Sequence, residues 1–279
     1  MDAHQMEVGV QGPAAAGGSA SVEGEDSSLR CESCGYSLEG IEDQRGACPE
    51  CGALISASLA ESRRGSPWQV GAGVGSWWDT HRGTLRHPRR RFREMRVEPG
   101  SWRTLLWSTL PVAGFLLVAP WTGTLVGDPA RAARGAGPVV QTLAYVVMIP
   151  LQAMVAAAVL FGLTWIEWRG IRFFARSRGW RLTRDAAWQV CAHASVGWVV
   201  GALIPIFTMA VLWAAPGGRP SLLDRLLARG GGLGYSTFTA NDAVLASLVL
   251  GAYGAGLVVF ELLVYVGVRQ CRWANVHRK

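Results

Sequence analysis

The apolar positions of this chain are unevenly spread. Residues 101–279 hold four long apolar runs, at about 104–126, 139–164, 187–213 and 243–268, separated by Arg-rich or Gly-rich pieces. Each is near or above the ~20 residues that carry a helix across a ~30 Å hydrocarbon core. Residues 1–100 contain no comparable run. The pattern predicts four transmembrane helices behind an N-terminal region that lives in water. Trp102, Trp121, Trp165, Trp168, Trp188, Trp213 and Trp273 stand near the ends of the runs, where an apolar ring with a polar N–H suits the membrane–water interface. Pro111, Pro120, Pro150 and Pro205 fall inside or near the runs; neighbouring helices can satisfy the carbonyls that proline frees.

The N-terminal region divides further. Residues 1–29 are rich in Gly, Ala and Ser, are acidic and lack the apolar core of a signal peptide, and so read as a disordered tail. Residues 30–53 hold a cysteine cluster. Residues 54–100 read as a linker that ends in a basic juxtamembrane helix, with an interfacial piece at Trp77-Trp78. In that helix Pro88 suits the first turn, and Phe92 and Met95 share a face. Arg89, Arg90, Arg91, Arg93 and Arg96 surround that face and are expected to contact the anionic headgroups of a lipid bilayer. A second interfacial helix is expected over 165–181, where Trp168, Ile171 and Phe174 recur at steps of three. Ser221 and Asp224 have capping-box spacing for a short helix through Leu227, and a Gly-rich loop follows from Gly230.

Charge orients the spans. The net charge is +7, and Lys279 is the single lysine among 27 basic residues. Eight arginines lie in 82–103 and six in 165–186, against two in 127–138 and three in 214–242; Arg269, Arg272, Arg278 and Lys279 follow the last run. Rich and poor segments alternate. By the positive-inside rule this predicts a multi-pass protein with both termini in the cytoplasm.

The cysteine cluster carries the clearest chemistry. Cys31-Glu-Ser-Cys34-Gly and Cys48-Pro-Glu-Cys51-Gly are two C-x-x-C turns with 13 residues between them. Four thiolates so spaced can meet at the corners of a tetrahedron, the geometry Zn²⁺ accepts at about 2.3 Å per Zn–S bond. The arrangement resembles the knuckles of zinc ribbons and rubredoxins over residues 30–53. Iron is the alternative metal, and two disulfides or free thiols the alternative without one. Four sulfurs leave no open position for water, so the expected role is structural. Glu32, Glu39, Glu42, Asp43 and Glu50 outnumber Arg45 in this segment, which excludes a phosphate-binding face; nucleic acid is not an expected partner. Cys191 and Cys271 lie in or beside apolar runs and read as packing residues.

Ionisable groups inside a membrane are costly and mark functional candidates. His193 and Glu261 lie at similar depth in the third and fourth runs and are expected to share a hydrogen bond or proton. Gln152, in the second run, reads as a helix-to-helix contact, and His81 and His87 read as headgroup contacts. The chain has no nucleophile elbow, P-loop, H-E-x-x-H or dinucleotide fingerprint.

The stretch His87-Pro-Arg-Arg-Arg-Phe-Arg-Glu-Met with Gly100-Ser-Trp-Arg-Thr-Leu-Leu resembles the entry to the first span of Yip1-type membrane proteins. Ala187-Trp-Gln-Val-Cys-Ala-His-Ala-Ser resembles the start of their third. The resemblance covers about 85–270. It implies about five spans, where four are read here, and it brings no catalytic residues. The expected architecture is all-α: a four-helix transmembrane bundle with a small N-terminal zinc ribbon. The expected function is non-enzymatic, a membrane-anchored scaffold or adaptor whose ribbon holds a protein partner in the cytoplasm. A small transporter or permeability factor formed by the spans is the alternative, and an enzyme acting on lipid is a third.

Overall fold

A computed structural model describes residues 28–41, 43, 45–118, 138–214 and 240–276. Among them the chain is mostly helical and contains no strand. The cysteine segment leads into two 3₁₀ turns, Ile55–Ser58 and Ala60–Ser62. Three short helices follow: α1 (Pro67–Val70), α2 (Val74–Arg86) and α3 (Pro88–Glu94). The long helices are α4 (Trp102–Val118), α5 (Pro138–Ser177), α6 and α7 (Arg184–Ala194, Val196–Ala214), and α8 (Ala240–Cys271). The expected capping box at Ser221 and the loop from Gly230 lie outside the described residues.

Three helical stretches among the described residues are long and apolar enough to cross a membrane: Val146–Ser177, Arg184–Phe207 and Leu250–Cys271. The described part of the first expected span is the 17-residue apolar helix α4; positions 119–126 of that span lie outside the described residues. The stretches differ in what surrounds them. The most apolar part of Arg184–Phe207 is 72% buried within the protein, whereas that of Val146–Ser177 is only 11% buried. α5 therefore turns Val146, Val147, Leu151, Met154, Val155 and Ile166 outward. A continuous apolar face of this extent is unstable against water and suited to hydrocarbon.

Small residues set the helix spacing. A Cβ on Gly197 would fall 2.5 Å from the Phe260 backbone nitrogen, and one on Gly201 would fall 2.7 Å from Cα of Gly256. Gly197 and Gly201 are one turn apart, so α7 and α8 meet backbone to backbone there, the packing that small residues allow between helices in lipid. Gly114 likewise brings α4 onto α5, where an added Cβ would lie 2.6 Å from the Ala153 carbonyl. Near one end of the bundle the aromatics take over. Trp188 of α6 stacks between Trp102, at 4.3 Å, and Trp168, at 4.9 Å. The guanidiniums of Arg103, Arg169, Arg172 and Arg184 lie over the outer rings of this stack.

Three expectations change. The segment after residue 164 is not a separate interfacial helix: α5 runs unbroken for 40 residues, about 60 Å at 1.5 Å per residue, so it outlasts the hydrocarbon core and projects beyond it. Trp168 and Ile171 are buried, but Phe174 faces outward. The 54–82 stretch is folded rather than a loose linker. Ser66, Pro67 and Gln69 form a full capping box for α1, and the Gln69 amide donates to the Arg96 carbonyl at 2.7 Å. α2 then buries Thr80, His81 and Thr84, a polar face with no apolar period to reveal it in the sequence. His81 is thus not a headgroup contact: its Nε2 meets the Thr109 hydroxyl at 3.0 Å, and Trp77 packs edge-on against its ring. Finally, Phe92 of α3 and Met95 just after it are fully buried in the main core, not immersed in lipid. The Phe92 ring lies where a Cβ on Gly267 would be.

Two outcomes follow from this packing. Gly201→Val should lower the unfolding midpoint in detergent by several degrees, consistent with overpacking costs of about 1–3 kcal/mol, while Gly162→Ala, which meets no neighbour, should leave it at or above wild type. His81 gives a pH signature. Burial first, and the neighbouring His193 second, hold its pKa down to about 3 against an ordinary 6.5. As pH falls the unfolded chain binds the proton before the folded one does. The stability due to neutral His81 is therefore complete above pH 6.5 and lost progressively toward 3. Across that window, thermal melts of His81→Gln should show a shallower decline than wild type.

Candidate metal centre

The two C-x-x-C turns fold alike. In the first, the Cys31 N–H donates to the Tyr36 carbonyl and the Gly35 N–H to the Cys31 carbonyl; in the second, Cys48 donates to Ala53 and Gly52 to Cys48. Each partner is offset by 17 residues between turns. Gly35 and Gly52 have φ of 87° and 70°, values that glycine alone adopts without strain. One isolated antiparallel bridge closes each turn, Arg30 with Ser37 and Ala47 with Leu54. A small core of Cys31, Leu38, Cys48 and Ile55 lies between them.

The four sulfurs of Cys31, Cys34, Cys48 and Cys51 all lie within 4.8 Å of one another. Cys31 to Cys51 is 3.6 Å and Cys34 to Cys48 is 3.7 Å. A tetrahedron with bonds of about 2.3 Å has edges of about 3.8 Å, so this set fits a four-coordinate thiolate metal. The separations are far from the roughly 2 Å of a disulfide, and all six cysteines are free. The thiols do not ionise alike. Burial works against the Cys31 thiolate, but the N–H groups of Cys34 and Ser33 and the neighbouring thiols outweigh it and bring the pKa to about 7. Cys34 goes the other way, to about 12, through burial and then through its hydrogen-bonded sulfur neighbours. Bringing all four sulfurs to the thiolate form in one cluster would need a cation to neutralise them. The cluster could therefore hold a metal ion.

A polar clasp fixes this unit to the helices. Arg63, 3% exposed, donates from Nε and Nη2 to the two carboxylate oxygens of Glu32 at 3.1 and 2.9 Å. Its Nη1 reaches the carbonyls of Met95, at 2.8 Å, and Phe92, at 3.3 Å. Glu32 also accepts from the Asn275 N–H at 3.1 Å. The Asn275 amide donates to the carbonyls of Arg30 and Ser58 and accepts from the Arg30 N–H. The Trp273 ring closes over Gly35, whose missing Cβ would sit 2.6 Å from it. The cysteine turns, α3 and the end of α8 are thereby one structure. Glu32 lies inside the first C-x-x-C, but its partners are 31 and 243 residues away, and no local pattern announces them.

The other expected site residues are dispersed. Arg90 pairs with Glu94 at 2.8 Å, Arg91 approaches the same carboxylate at 3.7 Å, and Arg96 approaches Glu98 at 3.9 Å; Arg96 also donates to the Arg63 carbonyl. These three serve intramolecular contacts rather than one headgroup-binding face. Arg89 and Arg93 face a groove described below. His193 and Glu261 do not share a hydrogen bond. Nδ1 of His193 meets the Gln189 carbonyl at 2.9 Å, its Nε2 has no hydrogen-bond partner, and its ring packs against Phe92. Equal depth placed the two together in sequence, but His193 is fully buried whereas Glu261 is exposed. Glu261 instead meets Glu167 of α5, a residue that the assigned end of the second run at 164 left outside the membrane. Cys191 and Cys271 are fully buried and belong to the main core.

Comparison with protein-family models, characterised proteins and solved structures returns no match for this chain. Purified protein loaded with Co²⁺ should show the intense visible bands and thiolate charge-transfer absorption of a tetrahedral four-sulfur site, with one ion per chain. Cys48→Ser should lose that spectrum and Cys191→Ser should keep it.

Proposed function

We propose that this protein is a membrane-anchored, non-catalytic scaffold or adaptor, in which a zinc-stabilised ribbon is presented on the cytoplasmic end of a four-span bundle. The observation that carries this reading is the clasp of Arg63, Glu32 and Asn275, which seats a four-cysteine unit rigidly on the helices. Zn²⁺ is the proposed ion because a closed set of four thiolates suits it and supplies folding energy to a segment with little core of its own. A site with no open coordination position offers water and substrates no place to bind, which favours structure over catalysis.

The interior of the bundle supports an anchor over a transporter. Leu105, Leu106, Leu110, Leu160, Val190, Phe260 and Val264 are buried there, and close glycine contacts bring the backbones together. The first-turn end of α4, the last turns of α5 and α8 and the start of α6 gather at the ribbon's end of the bundle, which is also where the arginine-rich segments lie. The positive-inside rule makes that end cytoplasmic. The Yip1-type resemblance agrees with a multi-pass anchor and assigns no residue a role.

Crosslinking in intact membranes tests the reading. Proteins crosslinked through the ribbon should be recovered with wild type and lost with Cys31→Ser, Cys48→Ser or metal chelation, while each variant remains resistant to alkaline extraction. Solute flux through vesicles reconstituted with the purified protein, unaffected by Cys48→Ser, would replace the scaffold with a transporter.

A further inference from the structure

A groove of about 650 Å³ lies where the cysteine unit meets α3 and the last turns of α8. Arg89 and Arg93 line it from α3; Tyr265, Arg269, Gln270 and Arg272 line it from α8 and the segment that follows. Four guanidiniums thus converge on one cavity from two separate elements. Glu32 is also in its wall, but both carboxylate oxygens of Glu32 are bound by Arg63.

The four arginines are set apart by what they touch. Arg93 meets the Gln270 amide oxygen at 3.4 Å, Arg269 donates to the Tyr265 hydroxyl at 3.0 Å, and Arg272 donates to the Ser33 carbonyl at 3.1 Å. Among the described residues none of the four has a carboxylate partner. On the same short helix α3, Arg90 and Arg91 share the Glu94 carboxylate. Neutral partners hold Arg93, Arg269 and Arg272 in place, while most of their N–H donors stay free for an anion. Guanidinium forks match phosphate oxygens in geometry and charge.

The groove also opens onto an apolar track. Val258, Leu262 and Tyr265 are 58%, 61% and 57% exposed. Steps of four and three residues put them on one face of α8, and the next step of four reaches Arg269. That face lies in a stretch apolar enough to cross a membrane. A molecule with a phosphate at one end and hydrocarbon at the other fits both parts; free phosphate fits only the first.

The geometry points to a binding site for an anionic phospholipid, its phosphate-bearing headgroup held by Arg89, Arg93, Arg269 and Arg272 and its acyl chains lying along Val258, Leu262 and Tyr265. This rests on the membrane reading above. Because the ribbon forms one wall, lipid bound here would tie the ribbon to the bilayer surface as well as to the bundle.

The full chain, purified in an uncharged detergent, is titrated separately with phosphatidylglycerol, with phosphatidylcholine of the same acyl chains, and with inorganic phosphate. Bound lipid is read by native mass spectrometry and by the rise in unfolding midpoint. Phosphatidylglycerol should bind and stabilise wild type; the other two should not. The Arg93→Gln/Arg269→Gln variant should bind phosphatidylglycerol about tenfold or more weakly, given roughly 1 kcal/mol per cation near anionic lipid. Arg90→Gln should bind as wild type does. An independent Arg89→Gln/Arg272→Gln variant should repeat the loss if one pair disturbs folding. Equal binding of phosphatidylcholine, equal stabilisation by inorganic phosphate, or unchanged binding in both double variants would overturn the assignment. Resistance of the same samples to alkaline extraction reports separately on the membrane anchor.

Discussion

A single buried guanidinium organises the junction on which the rest of this molecule depends. Arg63 is cut off from water, so its charge needs a counter-charge and its remaining donors need acceptors. Glu32 supplies the first, and the carbonyls of Met95 and Phe92 supply the second. Those three partners belong to the first cysteine turn and to α3 with its C-terminal cap. Satisfying one side chain therefore fixes where the metal-binding unit sits and which way α3 lies. Buried ion pairs of this kind add little net stability, but removing one partner costs about 3–5 kcal/mol. Their contribution is a unique geometry.

That geometry depends on a core of an unusual kind. Phe92 and Met95 resemble the apolar face of a surface-seeking helix, yet both are buried in the main core, Phe92 against Gly267 and Cys271 at the end of α8. The same helix turns Arg89 and Arg93 outward toward the groove. Its amphipathicity is real; the apolar side belongs to the protein and part of the basic side to the outside. Glycine makes this possible at Gly267, as it does where α7 meets α8, because the backbone can approach only where no side chain intervenes.

What could be read from the sequence divides along the same lines. The four-cysteine set was legible because its ligands are local and their spacing has a chemical meaning. The apolar helices were legible because a hydrocarbon-crossing length leaves a long, simple signature. α2 was not legible: it buries Thr80, His81 and Thr84, a pattern that mimics a polar linker. The end of the second run misled for a different reason. Arg169 and Trp168 mark an interface, but a helix need not stop where its solvent changes, and α5 continues. The expected pairing of His193 with Glu261 failed because depth along a span fixes height and says nothing of rotation about the helix axis. The clasp itself was hidden, since Asn275 meets residues more than 200 positions earlier in the chain.

That last separation bears on how the molecule is made. Residues 30–53 are synthesised early, but the surface that receives them includes Trp273 and Asn275, which emerge only after α8. The cysteine unit must wait, folded or not, while every intervening helix is laid into place, and contacts so distant are slow to close. Its final docking is thus a late event that can occur only on a completed bundle. A chain truncated or threaded wrongly before α8 would keep the Arg63–Glu32 pair but leave Gly35 without the Trp273 ring and the Arg30 and Ser58 carbonyls without the Asn275 amide.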